Sequence, residues 1–282
     1  MGASGGYLVM ILRMIILGTA ISALGCAAPP TPLAQKRAPH LEEARNAGVS
    51  FIYSTNDFAE IKVRKERKQT APETGDAIDE GFAPEHFCFS LKDKRPLPAL
   101  DQGPRYFFPA RSFICALPLA DPSVKDFGRA YPGLNSAAMD LRRILRERPE
   151  KFARRRDVPD IPNNNTAPSI LSRFQYLEYR SGTGILFLTQ YSQEIEPNPV
   201  NNEELTLVFQ GITKDGRHYL AARLAITHPS LPKGIDFTNH VERDRQWSYL
   251  KKGEKELDGF PEESFQPSLK SLKALLSSIY VE

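Results

Sequence analysis

Side chains that could do chemistry are sparse in this 282-residue chain, and their spacing excludes the commonest reactions. The histidines are His40, His86, His218, His228 and His240. No two stand at helical metal-ligand spacing, and HExxH is absent. His218 opens an apolar run beside Tyr219 and reads as a strand histidine. His240 is followed by Glu242 and Asp244, but the stretch is rich in both charge signs and reads as a solvated loop. Gly-x-Ser-x-Gly is missing, so no nucleophile elbow is expected. Ser181-Gly182-Thr183-Gly184 lacks a Walker lysine and a following helix, and therefore reads as a turn rather than a phosphate cradle. Glu203 and Glu204 are adjacent, so on a strand they point apart and cannot share acid–base work. No metal, no cofactor and no catalytic residue is expected.

The cysteines say more. Cys26 ends the run Ser22-Ala23-Leu24-Gly25-Cys26, and residues 7–25 before it hold a single charge, Arg13. With translation starting at Met10, residues 10–13 form a short positive segment. Residues 14–24 then form an apolar stretch of about eleven residues, the length of an export-signal core and short of a membrane span of about twenty. Ser22-Ala23-Leu24-Gly25-Cys26 resembles the lipobox of bacterial lipoproteins, with Ala23 where that family most often has Leu. The resemblance implies a signal peptide over 1–25, cleavage before Cys26, a diacylglycerol on its sulfur, and acylation (palmitate or a similar chain) of the new amino terminus. The acyl chains would hold the protein on a membrane. Ala27 rather than Asp after the cysteine points to the outer membrane, facing the periplasm, in a host that has one. The alternatives are an uncleaved N-terminal anchor and N-myristoylation at Gly2, which Gly6 at the Ser/Thr position argues against.

Cys88 in HFCFS and Cys115 in SFICAL both sit in apolar runs that read as strands. An oxidising compartment favours pairing them as a disulfide, worth about 3 to 4 kcal/mol in the chain-entropy model. Two separate buried thiols are the alternative. Neither cysteine has CxxC or HxxxH company, so a zinc site is not expected.

Arg142, Arg143, Arg146 and Arg148 are followed by Lys151, Arg154, Arg155 and Arg156. Arg142 and Arg146 share a helix face. The functional reading is attraction to anionic lipid headgroups or an anionic envelope polymer. The alternative is a solvated face offset by Asp140, Glu147, Glu150 and Asp157. A formal net charge of +3 gives no reason to expect a nucleic-acid partner.

The elements that must position these residues follow from pattern. Residues 26–39 are rich in Pro and Ala, bury nothing and read as a tether. Residues 40–282 read as a single α+β domain, an antiparallel sheet with covering helices. Residues 40–47 predict a short helix stopped by Gly48. Residues 49–54 and 58–68 predict two strands around Thr55-Asn56-Asp57, the second half-buried through Ile61 and Val63. Loops are expected over 70–85 and 158–168, and short strands at 87–91 and within 105–120. Asn135 or Ser136 is positioned to cap a helix running to about Arg148, with Leu141, Ile144 and Leu145 inward. Residues 173–179 and 185–191 predict a hairpin around Ser181-Gly182-Thr183-Gly184. Residues 205–212 and 217–227 predict another around Lys214-Asp215-Gly216, whose glycine supplies positive φ. Residues 268–278 predict an amphipathic terminal helix, followed by a short strand at Tyr280-Val281.

Between 185 and 232 the words ILFLTQY, PNPVNNEEL, LVFQGITKDGRHY and ITHPSLP resemble a group of uncharacterised secreted bacterial proteins, whose shared wording runs FLTQY, NN-L, FQG-T-DG-Y and HP-LP. The resemblance covers most of 106–282 and implies no activity. The order of elements is also similar to the Mog1/PsbP-like fold, which implies a sandwich used mostly for binding or assembly; fold alone does not give function. Three functional readings follow. The first is a lipid-anchored, non-enzymatic envelope module with an envelope protein or polymer as partner. The second is an envelope hydrolase with a site assembled from distant residues. The third is an anionic-surface binder working through Arg142–Arg156.

Overall fold

The computed structural model of the protein describes residues 40–72, 82–95, 111–161, 167–192, 199–234 and 243–282. They fall within one compact unit, Pro39–Glu282. Cys26, the signal and tether assigned to 1–39, and His240 lie outside the described residues.

In chain order the first strands are β1 (Leu41–Asn46), β2 (Val49–Ser54), β3 (Phe58–Glu66), β4 (His86–Asp93) and β5 (Ser112–Pro118). Helices α1 (Phe127–Ala130) and α2 (Pro132–Glu147) follow, then a 3-10 turn at Arg155–Asp157. Next come β6 (Ala167–Pro168), β7 (Ser172–Tyr179), β8 (Gly182–Thr189), β9 (Tyr191–Ser192), β10 (Thr206–Thr213) and β11 (His218–Ala225). The chain ends with α3 (Arg243–Gly259), a 3-10 turn at Glu262–Ser264, α4 (Leu269–Ser277) and β12 (Tyr280–Val281).

The fold is α+β, built on antiparallel sheet covered by helices. Its main sheet has the order β3-β4-β5-β11-β10-β8-β7, with every neighbour antiparallel. Both faces of this sheet are covered, which is why β10 and β11 are apolar almost throughout and do not alternate. One face carries Phe113, Phe187, Val208 and Ala221 and packs against Leu134, Leu141 and Ile144 of α2. The other carries Phe89, Leu186, Phe209 and Leu224 and packs against Leu272, Leu276 and Leu250 of the C-terminal helices and Phe51 of β2. Fully burying each such side chain contributes about 1.5 to 3 kcal/mol. A smaller sheet, β1-β2-β12, joins the C-terminal strand to the beginning of the domain.

Several local expectations are corrected. Residues 41–46 are a strand, not a helix: they pair with β2 through the tight Ala47-Gly48 turn, both residues at positive φ. Good helix formers yield here to a long-range pairing that also gives Glu42 a cross-strand bond from Tyr53 Oη at 2.7 Å. Strands β2 and β3 form as expected, yet pair in different sheets, so the Thr55–Asp57 turn is a corner between sheets. Ile61 packs against the core, but Val63 is 40% exposed, because β3 is an edge strand. Helix α2 starts at Pro132, before Asn135, and its N-cap is Tyr131, whose side chain makes no capping hydrogen bond.

The first predicted hairpin forms, but its loop is Arg180-Ser181, and Gly182 and Gly184 lie inside β8. A Cβ on Gly184 would fall 2.5 Å from both Gln210 O and the Phe209 ring. Tyr179 and Phe209 meet edge-to-face across this lane, so the glycines serve packing rather than a turn. The second hairpin forms with Gly216 at φ +71. Helix α4 and strand β12 form as predicted, with Ser268 capping α4 through Ser271 N.

Helix α3 was not anticipated; Arg243 begins it, so the loop reading of the charged stretch ends there. Its inward face is half polar. Leu250 and Leu257 are buried, while Glu254 accepts from Leu171 N (2.9 Å) and Arg155, and Asp258 accepts from Ser172 Oγ and Arg173 N.

Candidate functional site

The most polar buried constellation lies on the α2 side of the main sheet. Arg223 of β11 and Gln210 of β10 project there, on the face of Ala221 and Val208. Arg223 Nη2 donates to Asp160 Oδ2 at 2.7 Å, and both side chains are almost wholly removed from solvent. The Arg223 guanidinium lies 4.0 Å over the Tyr191 ring. Burial works against the charge of Arg223, but the Asp160 and Tyr191 fields outweigh it and raise its pKa. Burial also holds the Tyr191 and Tyr219 phenols well above their ordinary value, so both stay neutral. Gln210 treats the neighbouring loop as a strand: its Oε1 accepts from Ile161 N and its Nε2 donates to Ile161 O, both at 3.3 Å. The cluster is a clasp that holds residues 158–161 and β9 on the sheet centre. The one arginine inside the apolar run YLAARLAI was its visible signal, and the sequence reading passed over it.

A second buried carboxylate, Asp93, ends β4. Ser112 Oγ donates to its Oδ2 at 3.1 Å, and its Oδ1 has no hydrogen-bond partner among the described residues. Burial pushes its pKa up to about 6, against the pull of Ser112, Arg111 and Arg95.

Among the described histidines, His228 has a structural role. His228 stacks on Phe260 with ring centroids 3.7 Å apart. Ser230 N donates to its Nδ1, which fixes the proton on Nε2; Nε2 then donates to Ser264 Oγ, which itself donates to Pro261 O. A ring in that tautomer cannot take a proton from Ser264, so this Ser–His pair is not a nucleophile and base. His218 Nδ1 is buried without a partner among the described residues, and burial lowers its pKa. His40 is exposed, 3.8 Å from Glu42.

Most side chains in the FLTQY, NN, FQGIT-DG and HP-LP words are tied to backbone or packed. Thr189 Oγ1 donates to Ile170 O. Asn201 Oδ1 accepts from Glu203 N and Glu204 N. Asn202 donates to His228 O and Leu231 O and accepts from His228 N. Asp215 accepts from Thr213 Oγ1 and Arg217 N, bonds that hold its carboxyl well below the ordinary range. These words write loop closures at the sheet ends rather than a reaction centre.

Five of the described arginines in the cluster have acidic or backbone partners. Arg142 donates to Gly216 O; Arg143 bridges Asp140 and Glu147; Arg146 meets Glu147. Arg154 pairs with Asp157 and Arg155 with Glu254. The Arg156 side chain lies outside the described residues.

Cys88 and Cys115 stand directly opposite each other on β4 and β5, with Cα atoms 4.2 Å apart and sulfurs at bonding distance. His86 joins them: one of its ring nitrogens and both sulfurs lie within 4.8 Å of one another. Ligand spacings along the chain could not reveal this group, because it uses alternate residues on one strand and a partner on the next.

Compared with known proteins, the chain matches no family model. No curated protein gives a significant match.

Proposed function

We propose that this chain is a lipid-anchored cell-envelope protein, held by an acylated Cys26, whose α+β domain is a non-enzymatic binding or assembly module for an envelope protein or polymer. The observation that carries the address is the run Ser22-Ala23-Leu24-Gly25-Cys26 behind an apolar stretch of export-signal length. The Pro- and Ala-rich residues 27–39 supply a tether, and the facing Cys88 and Cys115 suit an oxidising compartment. Ala27 favours the outer membrane, facing the periplasm, in a host that has two membranes.

The non-enzymatic half rests on how the polar groups are used. His228, Arg223 and Asp160 are all committed to holding loops, and the tautomer of His228 opposes the hydrolase reading. The acid partners of Arg143, Arg146, Arg154 and Arg155 likewise weaken the anionic-surface reading. Growth of the native host with radiolabelled palmitate tests the anchor. Wild type should take up label and sediment with membranes, while Cys26→Ala should do neither. Unlabelled wild type would overturn the proposal.

A further inference from the structure

We infer that His86, Cys88 and Cys115, once the two sulfurs are reduced, form a binding site for a thiophilic d10 cation, Cu(I) or Zn(II). The placement comes from strand geometry. His86 and Cys88 are two apart on β4 and so project to the same face. Cys115 is the residue opposite Cys88 on β5. One ring nitrogen of His86 and the two sulfurs already lie within 4.8 Å of one another. A cation bonded at about 2.3 Å to sulfur and about 2.0 Å to nitrogen needs its donors about 3.6 to 3.8 Å apart, a small side-chain adjustment.

The imidazole is prepared for the role. A carbonyl can only accept, so the 2.8 Å contact of His86 Nδ1 with Pro84 O places the proton on Nδ1 and the lone pair on Nε2. Orienting a ligand histidine by a backbone carbonyl on its other nitrogen is the usual outer support of metal sites. Glu66 faces His86 across the β3–β4 pair. Both cysteines are buried in the α2-side core, so an apolar wall shields the sulfurs. Two soft thiolates, with an imidazole that suits copper and zinc, select Cu(I) or Zn(II) over hard cations.

The two states are linked by a balanced exchange. A dithiol reductant breaks the Sγ–Sγ bond, supplies two electrons and two protons, and leaves as its own disulfide. Cys88 and Cys115 become thiols, and an incoming cation displaces their two protons to solvent.

The test uses the full chain carrying Cys26→Ala, so that Cys88 and Cys115 are its only thiols. Reduced protein, titrated anaerobically, should take one equivalent of Cu(I) from a chromophoric chelator, or of Zn(II) in a parallel titration; the tighter arm names the cation. Co(II) in place of Zn(II) should show sulfur-to-metal charge transfer. The oxidised protein should bind neither ion. Cys88→Ser should abolish stoichiometric binding, and His86→Asn, which keeps a donor for Pro84 O, should weaken it by at least about tenfold. Absence of one-to-one binding in the reduced protein, or equal affinity in His86→Asn, overturns the site. So does reduced protein that loses its circular dichroism and does not regain it with metal.

Discussion

Asp93 holds a carboxyl in a place that disfavours its charge. Its pKa, about 6, lies above the ordinary 3.8. Such a group favours the folded state most when protonated. Its contribution is complete below pH 3.8 and is lost as pH rises through about 6. Asp93→Asn keeps an acceptor for Ser112 and never ionises. Its melting temperature should exceed that of wild type at pH 7, with the difference shrinking to nothing by about pH 4; an unchanged difference across that range would refute the assignment. Asp160 is paired with a buried arginine. Asp160→Asn removes this carboxylate charge from the buried Arg223 guanidinium and should cost about 3 to 5 kcal/mol in denaturant unfolding. Replacing both partners with apolar residues of similar volume should cost much less. A double variant as unstable as the single one would show that the pair itself is not what matters.

At the scale of elements, strong periodicity was legible and mixed faces were not. Helix α4 could be read from Leu269, Leu272, Leu275 and Leu276 because one stripe is wholly apolar. Helix α3 could not, because Glu254 and Asp258 occupy its inner face and bond to β7 and the segment before it. Strand β1 was hidden by helix-forming residues whose only reason to extend is β2. Glycine was misread for a similar reason: Gly182 and Gly184 look like turn residues until Tyr179 and Phe209 are seen to lie across them. Gly184→Ala should therefore destabilise by about 1 to 3 kcal/mol through overpacking, measured as a fall in the urea midpoint. Were Gly184 a turn residue, the same change would alter little beyond local backbone preference.

For the molecule as a whole, the Cys88–Cys115 link joins two strands of the main sheet across a sequence separation of 27. A closed loop of that size is worth about 3 to 4 kcal/mol of unfolded-state entropy. Reduction should lower unfolding free energy by about that amount while leaving the circular dichroism intact, since both sheet faces keep their apolar cover. Loss of fold on reduction alone would mean that the core depends on the link for more than entropy.

Residue order alone determined the α+β class, the two β-hairpins, the terminal helix and the lipobox-like run at Cys26. Each of these is a local signal, written in neighbouring residues through periodicity, turn chemistry or motif. Tertiary structure decided the rest: that 41–46 extend, that Arg223 meets Asp160 and Tyr191, and that His86 stands beside both cysteines. Those meetings depend on strand register between segments far apart in the chain. A register fixes which side chains share a face, and no spacing along a single segment records it.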